Sequence, residues 1–370
     1  MGCYMITKRQ YNVLSFYLTR TLFLGSGFTL LIKLSKNDFL ISSIIGMLLG
    51  YFLLYCLFKK DTISKIMNIV VAISTLVMGI LANTILTSNY LLFNTPTLLI
   101  VIIFFLALLY AASKDFKVIG RVCEIFIFIS IIEIVLALSN LFGLVDVQRL
   151  MPMFNTSSLN ILKGIIVFVG ASLLPNILLI NYKGDLKFKD IQYGYIVACL
   201  LMIVVIFFIL SIYGSEFASN ARFPEFLILK KINVMGYLSN IENVLVTEWM
   251  FNILISSWVC IKVLKENLNK GLFVIIILLF ILGSEFLLNR NYVNVLYIKQ
   301  YFYYISFALV ILSLVIKKRK NWFFLFIWIL VYRLFYLVFH IHLLHNSLLN
   351  NCWSILHNHK CFLNPHYLNR

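Results

Sequence analysis

Charged residues are scarce in this chain. Of its 370 residues only 12% are charged and only 14 are acidic, whereas 62% are hydrophobic. Soluble domains carry about 25% charged and about 45–50% apolar residues. A soluble protein of this size has too little polar surface to hide so many apolar groups, and the mean hydropathy of +0.97 agrees. The scarcity of charge therefore excludes a soluble fold and indicates a protein that lies in a lipid bilayer.

Motifs for metal binding and catalysis are also missing. The seven cysteines have no C-x-x-C spacing, and all six histidines lie at position 340 or later without an ordered ligand pattern. We therefore expect no metal, no cofactor and no enzymatic activity. The net charge of +17 is typical of cytoplasmic loops that follow the positive-inside rule, so nucleic acid is not an expected partner.

Long apolar runs fill most of the sequence. The runs are continuous rather than alternating, which favours helices over a β-barrel, and each has the length of about 17–25 residues that a helix needs to cross the bilayer. The predicted spans are residues 11–32, 39–58, 66–86, 97–113, 122–143, 159–182, 191–213, 237–261, 271–288 and 298–316. The predicted fold is an all-α integral membrane protein with about ten transmembrane helices.

The basic residues support this count. If the N-terminus and every second loop are cytoplasmic, 18 Lys and Arg residues lie on that side and nine on the other. We therefore predict a cytoplasmic N-terminus. The regular plan ends near Lys320, so we expect residues 1–320 to form the ten-helix permease-like domain. Residues 321–370 form an irregular, hydrophobic, His-containing extension, with room for an eleventh helix at 322–345.

Two of the predicted spans are interrupted by small residues. Gly25-Ser26-Gly27 breaks the first, and Gly170-Ala171-Ser172 is followed by Pro175 in the sixth. Glycine and proline weaken a helix, and freed backbone is tolerated in a membrane where it lines a cavity. The breaks lie five helices apart, so they fall at equivalent places of two inverted halves, as in secondary transporters. These six residues are the predicted ligand-binding site, although the same residues also permit close helix packing.

Acidic and basic residues inside the spans are the second candidate feature. Arg20, Glu133 and Glu248 fall near the middle of spans, and Glu242 lies about two turns into the eighth. Such residues are costly in lipid and normally face a cavity or a partner. We predict roles in coupling for these four. An ion pair between Arg20 and Glu133 is expected, either for function or only to set helix register.

The longest loop, about residues 214–236, carries a helix signal. Pro224 suits the first turn of a helix, and apolar residues and then Lys230 and Lys231 follow it. This pattern predicts a short helix that lies at the membrane interface, with an ordinary loop as the alternative.

Several short motifs resemble the spore germination permeases, the B subunits of Ger-type germinant receptors, in the amino acid–polyamine–organocation superfamily. They are Ile6-Thr7-Lys8-Arg9-Gln10 before the first helix, Phe223-Pro224-Glu225, Ile241-Glu242-Asn243, and Trp249. The chain departs from that family at Asn240, where a basic residue is usual, and at Leu174-Pro175-Asn176, where an acid is usual. The resemblance implies a five-plus-five inverted repeat, two partner receptor subunits and a place in the spore inner membrane or cell membrane.

Three functions follow from these observations. The leading one is a germinant-receptor subunit that binds a small amino-acid-like nutrient between the broken helices and signals germination. The second is a proton-coupled transporter of amino acids or related solutes, with Glu133 or Glu248 as the proton carrier. A membrane polysaccharide polymerase or acyltransferase is the third, and the short loops and late histidines argue against it.

Overall fold

The structure is a computed structural model that describes residues 6–59, 63–92, 95–182, 184, 186–232, 241–289 and 296–315. The predicted extension 321–370 lies outside these residues. Ten helical segments in the described residues coincide with the ten predicted spans. They are α1 (Lys8–Thr21, a π-helical turn Phe23–Gly27, and Phe28–Ser35), α2 (Phe39–Phe58), α3 (Lys65–Leu86), α4 (Thr97–Ala112), α5 (Phe116–Leu141), α6 (Ser158–Leu173, then the 3-10 helix Pro175–Tyr182), α7 (Lys189–Asn220), α8 (Ile241–Asn267), α9 (Lys270–Asn289) and α10 (Leu296–Val315).

These helices are apolar enough to form a membrane domain. Six helical stretches are long and apolar enough to cross a bilayer, and three shorter apolar helices accompany them among the described residues. No strand occurs in the part of the chain that the structure describes. The prediction of an all-α membrane protein is confirmed.

The packing of the ten helices repeats after five. In the first half α1 packs on α7 and α5, and in the second half α6 packs on α2 and α10. The contact of α4 with α8 is likewise repeated by the contact of α9 with α3. In a chain whose successive spans cross the bilayer in opposite directions, an offset of five reverses the second half relative to the first. The helix contacts thus form the predicted five-plus-five inverted repeat.

The N-terminal motif has a local structural role. Thr7 is the N-cap of α1: its side chain accepts a hydrogen bond from the Gln10 amide, and the Gln10 side chain accepts one from the Thr7 amide. This reciprocal capping box satisfies two amides that a helix start leaves free. Ile6-Thr7-Lys8-Arg9-Gln10 therefore fixes where α1 begins.

The two predicted helix breaks take different forms. In α1 a π-helical turn at Phe23–Gly27 interrupts the α-helix, as the glycines predict. In α6, Gly170, Ala171 and Ser172 are regular α-helix, and the change comes after them, where Leu174 and Pro175 lead into a 3-10 helix. The break therefore belongs to the proline, which lacks an amide hydrogen, and not to the small residues.

The helix predicted after Pro224 forms, but at a different place. It covers Pro224–Leu229, with proline in the first turn. Glu225 and Phe226 are each only 1% exposed, and the helix packs on α1, α7 and α8. The expectation of an interfacial position is wrong: both its polar and its apolar side chains turn into the bundle. Gly214, with φ of 76° near the end of α7, lets the chain turn there, since this conformation favours glycine.

Candidate functional site

A buried ion pair lies at the centre of the bundle. The two terminal nitrogens of Arg20 donate to the two carboxylate oxygens of Glu248 at 2.7 and 2.9 Å. Arg20 is 3% exposed and Glu248 5% exposed, and the guanidinium lies 4.9 Å from the centre of the Phe16 ring. Bidentate pairing of this kind is strong and directional. It ties α1 to α8, which are 228 residues apart in sequence.

The predicted ion pair between Arg20 and Glu133 is therefore wrong. Ser130 of α5 occupies the position beside the pair and donates a hydrogen bond of 2.8 Å to Glu248. The hydroxyl of Tyr17 lies 3.0 Å from that of Ser130 and extends the cluster back to α1. The reasoning from sequence missed both residues. A signal was present, because Ser130 precedes Glu133 by three residues and thus shares its helix face.

A cavity of about 80 Å³ borders this cluster. About 10–15 Å³ of such cavity volume holds one water molecule, so the cavity has room for several waters or a compact ligand. It lies between α1, α5, α7, α8 and the short helix Pro224–Leu229. Its polar lining consists of Arg20, Ser130, Glu133, Glu225 and Glu248, and its apolar lining includes Leu24, Phe28, Leu138, Met202, Phe208 and Trp249.

Charged side chains of both signs line the cavity. Three carboxylates and one guanidinium line it, and the guanidinium is already paired with Glu248. Glu133 is partly buried, and its Oε2 has no hydrogen-bond partner among the described residues. The Nε of Arg20 is likewise without a partner in the described part of the chain. The residues that line the cavity therefore include a carboxylate with an unused acceptor and a guanidinium with an unused donor.

The α1 half of the predicted binding site lies beside this cavity. Leu24 of the π-helical turn and Phe28 just after it line the cavity, while Gly25 and Ser26 belong to the same turn. Gly27 gives room for α10: a Cβ there would lie 3.2 Å from the Tyr303 hydroxyl. That hydroxyl donates to the Leu22 carbonyl next to the π-helical turn.

The α6 half of the predicted site lies elsewhere. Of the described residues that line the cavity, none belongs to α6. A Cβ on Gly170 would lie 2.7 Å from the Tyr303 carbonyl oxygen, so this glycine permits the close approach of α6 and α10. Ala171 is fully buried, and the Ser172 hydroxyl bonds with Val169 and Tyr195. Close packing, the alternative reading of these small residues, is what the contacts of Gly170 support.

Asn176 connects α6 to α1 through neutral groups. Its Oδ1 accepts from Ser15 at 2.8 Å, and its Nδ2 donates to the Thr19 hydroxyl and to the Ser172 carbonyl, each at 2.8 Å. All four residues are buried with 0% exposure. Asn176 belongs to the segment Leu174-Pro175-Asn176, which departs from the resembling family, and its side-chain amide makes three hydrogen bonds.

Two predictions are not decided by the described side chains. Glu242 lies in α8, but its side chain is outside the described residues. The expectation that the chain holds no metal stays a prediction, and among the described residues no cluster of three metal-ligating side chains occurs.

The fold and the cavity define a class: a helical membrane permease built from two inverted halves. Residues 71–293, from α3 through α9, match the family model of the spore germination proteins, a family of spore permeases. The chain belongs to the spore germination permease family. This is a family of permease- or receptor-type membrane proteins and not a known enzyme family. A comparison with curated proteins finds no match for the chain.

Proposed function

We propose that this germination-related permease is the membrane subunit of a germinant receptor, and that a small amino-acid-like nutrient binds in the cavity beside Arg20 and Glu248. The observation that supports the proposal is the charged lining of the cavity, where Glu133, whose Oε2 has no hydrogen-bond partner among the described residues, lies beside the pair of Arg20 and Glu248. An ammonium group pairs with Glu133, and a carboxylate accepts from Arg20 Nε. The apolar lining, with Leu24 and Trp249, takes the side chain of the nutrient.

Binding in this place acts on several helices at once. The cavity is bordered by α1, α5, α7, α8 and the short helix, so a ligand that fits better to one arrangement of these helices shifts the equilibrium toward it. Two partner subunits, as the family resemblance implies, read that shift in the spore inner membrane or cell membrane. The N-terminus is cytoplasmic in this proposal, since basic residues concentrate on that side.

The test is a melting-temperature screen of the full-length protein in lipid nanodiscs. A ligand present at 100 times its Kd stabilises the folded state by about 2.7 kcal/mol, which raises the melting temperature. We expect zwitterionic amino acids to raise it, and the matched amines and carboxylic acids to do so much less. Equal stabilisation by all three classes, or by none, would contradict a site that binds both charges.

The Glu133→Gln substitution tests whether the ligand binds next to Glu133. Loss of a charge-assisted hydrogen bond of about 1.5–3 kcal/mol weakens binding roughly tenfold or more. Glu216→Gln is the matched control, because Glu216 is an exposed carboxylate on α7 away from the cavity. Isothermal titration of the best amino acid measures both. If both substitutions weaken binding equally, the ligand does not bind at Glu133.

A second candidate function is proton-coupled uptake of such solutes. The free Oε2 of Glu133 favours it, since a carboxylate at a cavity inside the bundle can take up and release a proton. Uptake into proteoliposomes that depends on a pH gradient supports transport. Ligand stabilisation without such uptake supports a sensor.

A further inference from the structure

The two helix breaks each accept a hydrogen bond from a buried tyrosine of another helix. Tyr303 of α10 donates to the Leu22 carbonyl, next to the π-helical turn of α1. Tyr11 of α1 donates to the Leu179 carbonyl at 2.6 Å, within the 3-10 helix that follows Pro175 in α6. Both tyrosines are 0% exposed. Such donors are expected here, because in a membrane the backbone groups at a helix break are satisfied by neighbouring helices.

The break in α1 borders the cavity described above. Leu24 belongs to the π-helical turn and Phe28 follows it directly, and both line the cavity. The Phe28 amide donates to the Phe23 carbonyl five residues earlier, which is the hydrogen bond of a π-helical turn. Of the described residues that line the cavity, none belongs to the 3-10 helix of α6. The two tyrosine hydroxyls therefore act at different places, one beside the cavity and one away from it.

Two glycines give Tyr303 the room that it needs. A Cβ on Gly27 would lie 2.8 Å from the Leu22 carbonyl oxygen and 3.2 Å from the Tyr303 hydroxyl, so a side chain there would push the two apart. A Cβ on Gly170 would lie 2.7 Å from the Tyr303 carbonyl oxygen. The glycines of α1 and α6 thus both permit the close approach of one residue of α10.

We propose that Tyr303 is a positioning residue for the cavity. Its hydroxyl holds the π-helical turn of α1 in place, and with the turn it holds Leu24 and Phe28 in the cavity wall. A π-helical turn contains one residue more than an α-helical turn. If the turn changed to regular α-helix, the residues after it would rotate by about 100° relative to those before it, at 3.6 residues per turn. The position of Phe28 relative to Arg20 therefore depends on this turn.

The affinity for a ligand then depends on α10, although none of the described residues of α10 lines the cavity. This consequence rests on the proposed function, whereas the effect of Tyr303 on the π-helical turn does not. Tyr303→Phe removes the hydroxyl and keeps the ring, so it tests the hydrogen bond without leaving a large void. Tyr11→Phe is the matched control, because it makes the same exchange at an equally buried tyrosine whose acceptor lies away from the cavity.

Solid-state NMR of the full chain in nanodiscs tests the turn without any ligand. Ser26-Gly27 is the only Ser-Gly step in the sequence and lies in the π-helical turn. Carbonyl-¹³C serine and ¹⁵N glycine, incorporated by cell-free synthesis, therefore give a single serine-to-glycine cross-peak. We expect it to broaden or split in Tyr303→Phe, because the turn then samples more than one arrangement, and to stay single in Tyr11→Phe. An unchanged peak in Tyr303→Phe, or the same change in both variants, would overturn the proposal.

Isothermal titration of the amino acid that binds best measures the consequence for the ligand. Tyr303→Phe should raise the Kd roughly fivefold to tenfold, the ratio that corresponds to one typical hydrogen bond. Tyr11→Phe should leave the Kd within about twofold, although each variant loses one buried hydrogen bond and both should lower the melting temperature. A Kd that changes equally in both variants, or in neither, would overturn the proposal while the proposed function stands. If the NMR peak changes as expected but no amino acid binds the unmodified protein, the proposed function fails and the role of Tyr303 at the turn stands.

Discussion

The two sides of α1 make different kinds of polar contact, one charged and the other neutral. Toward α8 and the cavity, Arg20 forms a charged pair with Glu248, and Glu133 lies nearby with an Oε2 that has no hydrogen-bond partner in the described part of the chain. Toward α6, Ser15 and Thr19 bond to Asn176 through neutral groups. The charged side borders open volume, while the neutral side is packed and connected. One helix thus joins a charged side that borders a cavity to a neutral side that is closely packed.

The difference shows where the inverted repeat departs from symmetry. The symmetric helix contacts place α1 and α6 in equivalent positions, yet α1 carries a π-helical turn beside the cavity and α6 carries small residues against α10. Equivalent positions in the two halves therefore serve different purposes here: α1 lines the cavity, and α6 supports the bundle around it.

A substitution on the charged side of α1 should lower the free energy of unfolding most. Glu248→Leu leaves the Arg20 guanidinium buried without its carboxylate, which we expect to lower the free energy of unfolding by about 3–5 kcal/mol. Unfolding in mixed micelles with increasing dodecyl sulfate measures it. The double variant Arg20→Met, Glu248→Leu should recover most of the loss, because an apolar pair of similar volume needs no counter-charge. If the double variant is as unstable as the single one, lost packing explains the effect better than charge.

A substitution on the neutral side of α1 should lower the free energy of unfolding by a smaller amount. Asn176→Leu removes three hydrogen bonds and leaves the Ser15 hydroxyl without its acceptor, for an expected loss of about 2 kcal/mol. The same unfolding experiment applies. Asn140→Leu is the control: Asn140 is partly exposed on α5, its side chain bonds to its own helix at Leu136 and to no other described residue, and the variant should stay within about 0.5 kcal/mol. A similar loss in both variants would mean that the Asn176 network does not hold α6 to α1.

The smallest expected effect concerns Gly170. Gly170→Ala places a methyl 2.7 Å from the Tyr303 carbonyl oxygen, and the shift of α10 that follows should cost about 1–2 kcal/mol. Gly283→Ala is the matched control within a helix, because no atom of the described residues lies within 4 Å of a Cβ there, and alanine favours helices over glycine. Ligand stabilisation should survive Gly170→Ala. If Gly170→Ala abolishes the stabilisation by ligand but leaves the stability of the ligand-free protein unchanged, Gly170 belongs to the binding site.

The sequence predicted which segments form helices better than it predicted which side of each helix packs against which neighbour. Continuous apolar runs fix which segments cross the membrane, because no other structure satisfies their backbone in lipid. Gly25 and Gly27 predicted the interruption of α1, and Pro175 the change in α6. The rotation and depth of each helix come from packing, which one sequence does not reveal. Arg20 was therefore assigned to Glu133 rather than to Glu248.

The same limit applies to the site. Arg20, Glu133 and Glu248 were found because charge inside a span is costly and rarely incidental. Ser130 and Tyr17 were missed because serine and tyrosine are ordinary in membrane helices. The short helix that contains Glu225 was predicted to lie at the membrane interface. Glu225 is buried because this helix turns into the bundle, and its sequence alone does not reveal that turn.

The distance in sequence between Arg20 and Glu248 also sets an order of events during biosynthesis. At about 5–20 residues per second, the ribosome needs roughly 10–45 s to make the 228 residues that separate the two. During that time α1 carries an arginine, which opposes insertion by about 2.5–3.5 kcal/mol at a helix centre. Its own counter-charge has not yet been synthesised. The first helix of the chain can therefore settle fully in the membrane only after the eighth has emerged.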